Sequence, residues 1–198
     1  MKKSIFFVMA LFSVVLLSNC EQQDAGSNKD KIESDFKKTS VYGSTEAYGE
    51  HLVTIMACND CHTPKKMGPN GMEIDSTLLL SGHPAKMPLF EVDRKAMAAK
   101  GLVVTQDLTA WVGPWGVSYT ANLTPDETGI GNWNIDQFKM AIRQGKFHGM
   151  GNGRPLLPPM PWDMYKHASD DELSAVFAYL KSIKPISNLV PAPEPPAR

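Results

Sequence analysis

Cys58-Asn59-Asp60-Cys61-His62-Thr63-Pro64 is the stretch on which the reading of this 198-residue chain turns. A C-x-x-C pair alone leaves three uses open: a disulfide, a thiol redox motif or an anchor for covalent haem. The histidine that follows decides among them. Two thiols three positions apart lie on one helical turn and can reach the two vinyl groups on adjacent edges of a porphyrin. The next side chain then brings an imidazole to one axial face of the iron. With 3 cysteines and 5 histidines in the chain, chance assembly of the pattern is on the order of one in a thousand. A thioredoxin-like pair would sit at a strand-to-helix junction, whereas this one follows an amphipathic helical pattern. Structural zinc would need two further ligands at matching spacing, and the chain has no second C-x-x-C and no H-x-x-x-H. Cys58 and Cys61 are therefore expected to carry one haem c, with His62 as an axial ligand of its iron. The other ring nitrogen of His62 should donate to a backbone carbonyl, with residues 64–69 as the nearest candidates.

Working outward, Ser44 is an N-cap candidate, and Tyr48, Leu52, Ile55 and Met56 recur at helical spacing. The pattern predicts a helix running directly into Cys58. A second helix should start at Asn134, with Gln137 completing a capping box, Ile135, Phe138, Ala141 and Ile142 on its apolar face and Gly145 as its stop. A third is expected after Ser169, whose box partner is Glu172; Leu173, Val176, Phe177 and Leu180 share a face, and Pro185 closes it. Between Asp75 and Tyr119 the pattern changes: β-prone runs at 101–105, 108–112 and 117–119 alternate with turn residues, which predicts a small β-hairpin. The expected fold is mainly α, a domain over about 44–190 built around one haem, with a long insertion at about 75–120.

The termini read differently. Met1-Lys2-Lys3 followed by the apolar run Ile5 to Leu17 is a signal-peptide pattern, too short to span a bilayer comfortably. It ends in Leu17-Ser18-Asn19-Cys20, which resembles a bacterial lipoprotein signal. That resemblance implies removal of residues 1–19 and lipidation of Cys20. The alternative is an ordinary secretory signal with Cys20 a spare thiol. Residues 20–43 are polar and read as a flexible tether. Pro191-Ala192-Pro193-Glu194-Pro195-Pro196-Ala197-Arg198 cannot form a helix and should be an extended arm that either dangles or wraps the surface. The formal charge is -1; losing Lys2 and Lys3 from the 20 basic residues leaves 18 against 21 acidic, a net of -3. A chain with no basic stripe has no electrostatic case for nucleic acid. A redox partner with a positive docking face suits it better.

Taken together, the helix before Cys58, the motif through Pro64, Asn122-Leu123-Thr124-Pro125-Asp126, Thr128-Gly129-Ile130-Gly131, Trp133, Pro158-Pro159-Met160-Pro161-Trp162 and the last capped helix resemble class I cytochromes c. The chain is most similar to the cytochrome subunits and single-haem relatives found beside bacterial alcohol and aldehyde dehydrogenases. The match covers about 44–69 and 121–193 and is poor across the insertion. Such relatives often carry two or three haem motifs; this chain has one. The resemblance implies that Met160, in a proline-rich loop before the last helix, is the second axial ligand. Its neighbours agree, because Pro158, Pro159 and Pro161 fix φ and hold Met160 in an extended, stiff segment. Met150, Met164 and, among histidines, His148 are the alternatives. The resemblance also implies a close helix crossing at Gly49 and Tyr179. It gives Trp133 a place at a haem edge or in the core, and Arg143 a propionate or solvent.

With both axial positions filled, the implied role is one-electron transfer, not catalysis on a bound substrate. The carrier would face the periplasm, held to a membrane by its N-terminal lipid. It would run between a dehydrogenase or quinol-oxidising complex and a terminal acceptor. Two other readings stay open: a haem enzyme or ligand sensor if Met160 does not ligate, and a fixed subunit of a larger dehydrogenase docked through the insertion.

Overall fold

The computed structural model describes residues 41–197. The signal segment 1–19, Cys20 and the tether as far as residue 40 lie outside the described residues. Helix α1, Thr45–Ile55, begins as expected, with the Ser44 hydroxyl accepting from the Ala47 N–H at 3.1 Å. Its buried face is Gly49, Leu52 and Val53, while Ile55 is exposed. The helix does not run into Cys58. Met56 caps it, Ala57 takes the left-handed conformation at φ 55°, and a separate short helix α2, Cys58–His62, starts there. Helix α6, Asp170–Ser182, carries the complete capping box of Ser169 and Glu172, and helix α4, Ile135–Gln144, that of Asn134 and Gln137. Gly145 closes α4 at φ 59°, a left-handed cap that glycine takes without a Cβ penalty.

Helices α1 and α6 cross at Gly49. A Cβ there would lie 2.0 Å from the Ala175 carbonyl oxygen and 2.8 Å from the Tyr179 Cβ, so the crossing distance is set by the missing side chain. Leu52, Val53, Leu80, Ile130, Leu173 and Leu180 pack the core around this contact, and Phe138 of α4 meets Phe177 of α6 with ring centroids 5.4 Å apart. Gly49→Val is expected to force the two helices apart. The cost should be about 1–3 kcal/mol or more, as for other overpacked cores. A denaturant midpoint indistinguishable from wild type would remove the crossing from the account.

The long insertion holds more strand than the sequence suggests. Instead of one hairpin it forms a three-stranded antiparallel meander of β3 (Val104–Gln106), β4 (Ala110–Gly113) and β5 (Gly116–Tyr119). Val112 pairs with both Val104 and Val117, and Gly113 with Gly116. A second hairpin precedes it: β1 (Lys65–Gly68) pairs with β2 (Gly71–Ile74) around Pro69 and Asn70. Short helices α3 (Arg94–Ala99) and α5 (Trp162–Tyr165) complete the elements. Among the described residues helix makes up 36% and strand 14%, so the expected "mainly α" describes the core helices and not the described residues taken together.

The proline-rich arm wraps the surface. Glu194 pairs with Val117 through two backbone hydrogen bonds of 2.9 and 3.0 Å, extending the meander beyond β5. Its carboxylate accepts from Arg94 at 2.6 Å and from the Tyr119 hydroxyl at 3.0 Å. Upstream, Asn188 donates to the carbonyls of Ser81 and His83 and accepts from the Ala85 N–H. The Asn122-Leu123-Thr124 motif holds the same chain from the other side: Asn122 donates to the Ile186 carbonyl at 2.8 Å, and Thr124 accepts from the Ile186 N–H.

A candidate haem-attachment centre

Helix α2 is a single turn, and its sequence is the motif itself. Cys58 and Cys61 are both half-buried free thiols, and His62 beside them is buried. Burial pushes the Cys58 thiol up to about 11. Cys61 is also raised, chiefly by burial, with Lys65 opposing the rise. Both sulfurs are therefore held as neutral thiols, the form that contributes S–H across a vinyl double bond.

His62 is oriented by one hydrogen bond. Its Nδ1 lies 2.8 Å from the carbonyl oxygen of Ala121. A carbonyl only accepts, so Nδ1 carries the proton and Nε2 presents its lone pair. Among the described residues Nε2 has no hydrogen-bond partner. Burial, partly countered by the Ala121 contact, holds the imidazole below its usual range and hence neutral, the state a metal needs. The acceptor differs from the sequence expectation of residues 64–69. That segment leaves as β1, while the insertion returns the chain at Ala121 beside the ring. The start of the insertion is stitched to the same turn: Gly82 donates to the His62 carbonyl at 2.8 Å, and the Leu80 N–H to the Thr63 hydroxyl at 2.9 Å.

Met160 sits half-buried in the loop between α4 and α5, directly after Pro158 and Pro159. Its two methionine rivals point outward, Met150 at 46% and Met164 at 72% exposure. The remaining histidines have other surroundings. His83 is buried with Nδ1 against the Thr109 hydroxyl at 2.8 Å and Nε2 against the Met87 carbonyl at 3.3 Å. His51, His148 and His167 are exposed. Trp133 packs against the core, 6.0 Å from the His148 ring. Arg143, offered a propionate or solvent by the sequence, instead pairs with Asp170 at 2.5 Å and donates to the Ala168 carbonyl. The sequence reading missed Ala121, Ser118 and Tyr165, whose hydroxyl donates to the Met56 carbonyl just before the motif at 2.5 Å. A backbone carbonyl leaves no mark in a sequence, and the two hydroxyls sit in no motif.

A single helical turn presenting two thiols and a neutral imidazole with one free nitrogen is a donor set suited to covalent haem of the cytochrome c kind. The chain is similar to cytochrome c subunits of bacterial dehydrogenases. The fructose dehydrogenase cytochrome subunit of Gluconobacter japonicus is 36% identical over 174 residues, 86% of this chain and 27% of that protein. The gluconate 2-dehydrogenase cytochrome c subunit of Pantoea cypripedii is 39% identical over 77 residues, 37% of this chain and 17% of that protein. The cytochrome c subunit of the quinone-dependent alcohol dehydrogenase of Gluconobacter oxydans is 35% identical over 83 residues, 41% of this chain and 17% of that protein. The chain thus spans between 17% and 27% of the length of these relatives. No family model matches the chain. Likeness to cytochrome c subunits implies covalently bound haem c with its iron, and the donor set on α2 fits that group.

Proposed function

We propose that this chain is a one-electron carrier of the periplasm, tethered to a membrane by lipid on Cys20, with haem c on Cys58 and Cys61 and axial ligands His62 and Met160. The observation that carries the reading is the geometry of His62, buried, neutral and tied through Nδ1 to Ala121, with Nε2 left for a metal. When bound, the haem supplies a one-electron couple, which a neutral thioether ligand shifts toward higher potential. The protein's part is to hold two thiols on one turn, fix the imidazole and frame the methionine, so that little rearranges between oxidation states. The lipid reading rests on the Leu17-Ser18-Asn19-Cys20 signal and on the inadequacy of a single acyl chain for stable anchoring, which a multiply acylated cysteine overcomes.

Labelled palmitate fed to cells is expected to enter the wild type and not Cys20→Ala, and the wild type to sediment with membranes. A wild type that takes no label and stays soluble removes the tether and leaves the haem site standing. A second reading, a fixed subunit of a dehydrogenase, is favoured by the roles of the relatives. It is distinguished by whether in-cell crosslinking traps one large catalytic chain at constant ratio or several partners. Rapid binding of carbon monoxide by the resting protein would instead favour a ligand-binding haem protein in which Met160 does not ligate.

A further inference from the structure

Strand β5, the last of the insertion, is tied to the segments that carry both residues read as axial ligands. Just beyond it, Ala121 accepts from His62. Within it, the buried Ser118 hydroxyl donates to the Pro158 carbonyl at 2.6 Å, two residues before Met160. That hydroxyl is itself oriented, because the indole N–H of Trp115 donates to it at 3.2 Å.

The loop that carries Met160 has little else to hold it. Pro158 and Pro159 have no N–H to give. The nearest backbone bond before them runs from Leu156 to the Gly145 carbonyl at 2.7 Å, and the nearest after them from Met164 to the Pro161 carbonyl at 2.9 Å. Among the described residues, Ser118 makes the only hydrogen bond to residues 157–160. The strand presenting Ser118 is held on both edges, by β4 on one side and by Glu194 on the other.

We propose that Ser118 is a positioning residue for Met160, and that β5 braces the two axial ligands at a fixed separation. The proposal rests on the reading of Met160 as the second ligand. A thioether bond to iron is weak, so the loop must hold the sulfur near the metal at high effective concentration. Freeing the Pro158 carbonyl lets the loop explore positions where the sulfur is absent, and an external ligand then competes better.

The test is imidazole titration of the ferric, haem-loaded protein, followed by the near-infrared sulfur-to-iron band and alongside a thermal melt. Ser118→Ala is expected to raise the apparent imidazole affinity about three- to tenfold, the range set by one hydroxyl–carbonyl bond. Ser118→Thr keeps the hydroxyl and should return the affinity toward wild type. Thr105→Val removes a hydroxyl bond to the Ala110 carbonyl of 2.9 Å in the same sheet, away from the loop. It should lower the melting temperature and leave imidazole affinity unchanged. A Ser118→Ala protein that melts earlier yet binds imidazole as the wild type does overturns the proposal. Should that variant fail to load haem, Trp115→Phe, which removes the indole donor, is expected to move affinity the same way by a smaller factor; no movement there overturns it equally. A wild type without the sulfur band is a separate result, and it removes the Met160 assignment itself.

Discussion

Replacing Cys58 and Cys61 together by alanine is expected to take covalent haem from one per chain to none. Protein matured with a haem-attachment system, stripped with acid acetone and read as a pyridine haemochrome, gives the number directly. The size of the effect follows from chemistry. Each thioether is a bond that organic extraction does not break, whereas His62 alone holds haem by a coordination bond that acid severs. The single variants should each retain haem through one thioether, with the haemochrome band displaced because one vinyl group stays unsaturated. Half-burial of both sulfurs on a single turn means that neither needs the other for its placement, so the singles should be intermediate. Wild-type covalent loading in the double variant would end the haem-attachment reading, since the third cysteine, Cys20, stands 38 positions upstream of Cys58 and outside the motif.

What the sequence made legible was what local chemistry dictates. Ser44, Asn134 and Ser169 are caps because a short side-chain oxygen can satisfy the first free N–H groups of a helix, and all three cap in the structure. Gly49 and Tyr179 meet as the resemblance implied. What stayed hidden depended on distant partners. Ala57 is an unremarkable helix former, and its left-handed conformation costs roughly 1–2 kcal/mol. The residues on either side are tied down by distant partners, the Met56 carbonyl by Tyr165 and the turn that follows by Leu80 and Gly82. The acceptor for His62 lies 59 positions away, beyond an insertion whose return path no local pattern encodes. The hairpin β1–β2 was overlooked because its strands are mostly exposed and show no alternation. Its one signal was Pro69-Asn70-Gly71, a turn sequence without an apolar frame. All three strands of the meander fall on or beside the β-prone runs at 101–105, 108–112 and 117–119; what the sequence did not carry was that the first run pairs as well, making a sheet of three strands and not a hairpin.

Met160→Ala is expected to abolish the near-infrared sulfur-to-iron band of the ferric protein and to lower its reduction potential. Axial ligation tunes haem potentials over roughly 0.8 V. Exchanging a neutral thioether for water or an adventitious ligand should therefore cost a measurable part of that span. The same variant should bind carbon monoxide in the ferrous state without the lag that displacement of sulfur imposes. The rival methionines are named by the same experiment. Met150 lies between glycines and Met164 on α5, and both project into solvent. Tyr165, one residue beyond Met164, ties α5 to the Met56 carbonyl just before the motif. Survival of the band in Met160→Ala would mean that another methionine ligates. Met164→Leu in the same background separates the two rivals: a band lost only in the double variant assigns the ligand to α5. A band that survives both substitutions would make Met150 the group to test, whereas a wild type with no such band would return His148, exposed in its left-handed turn.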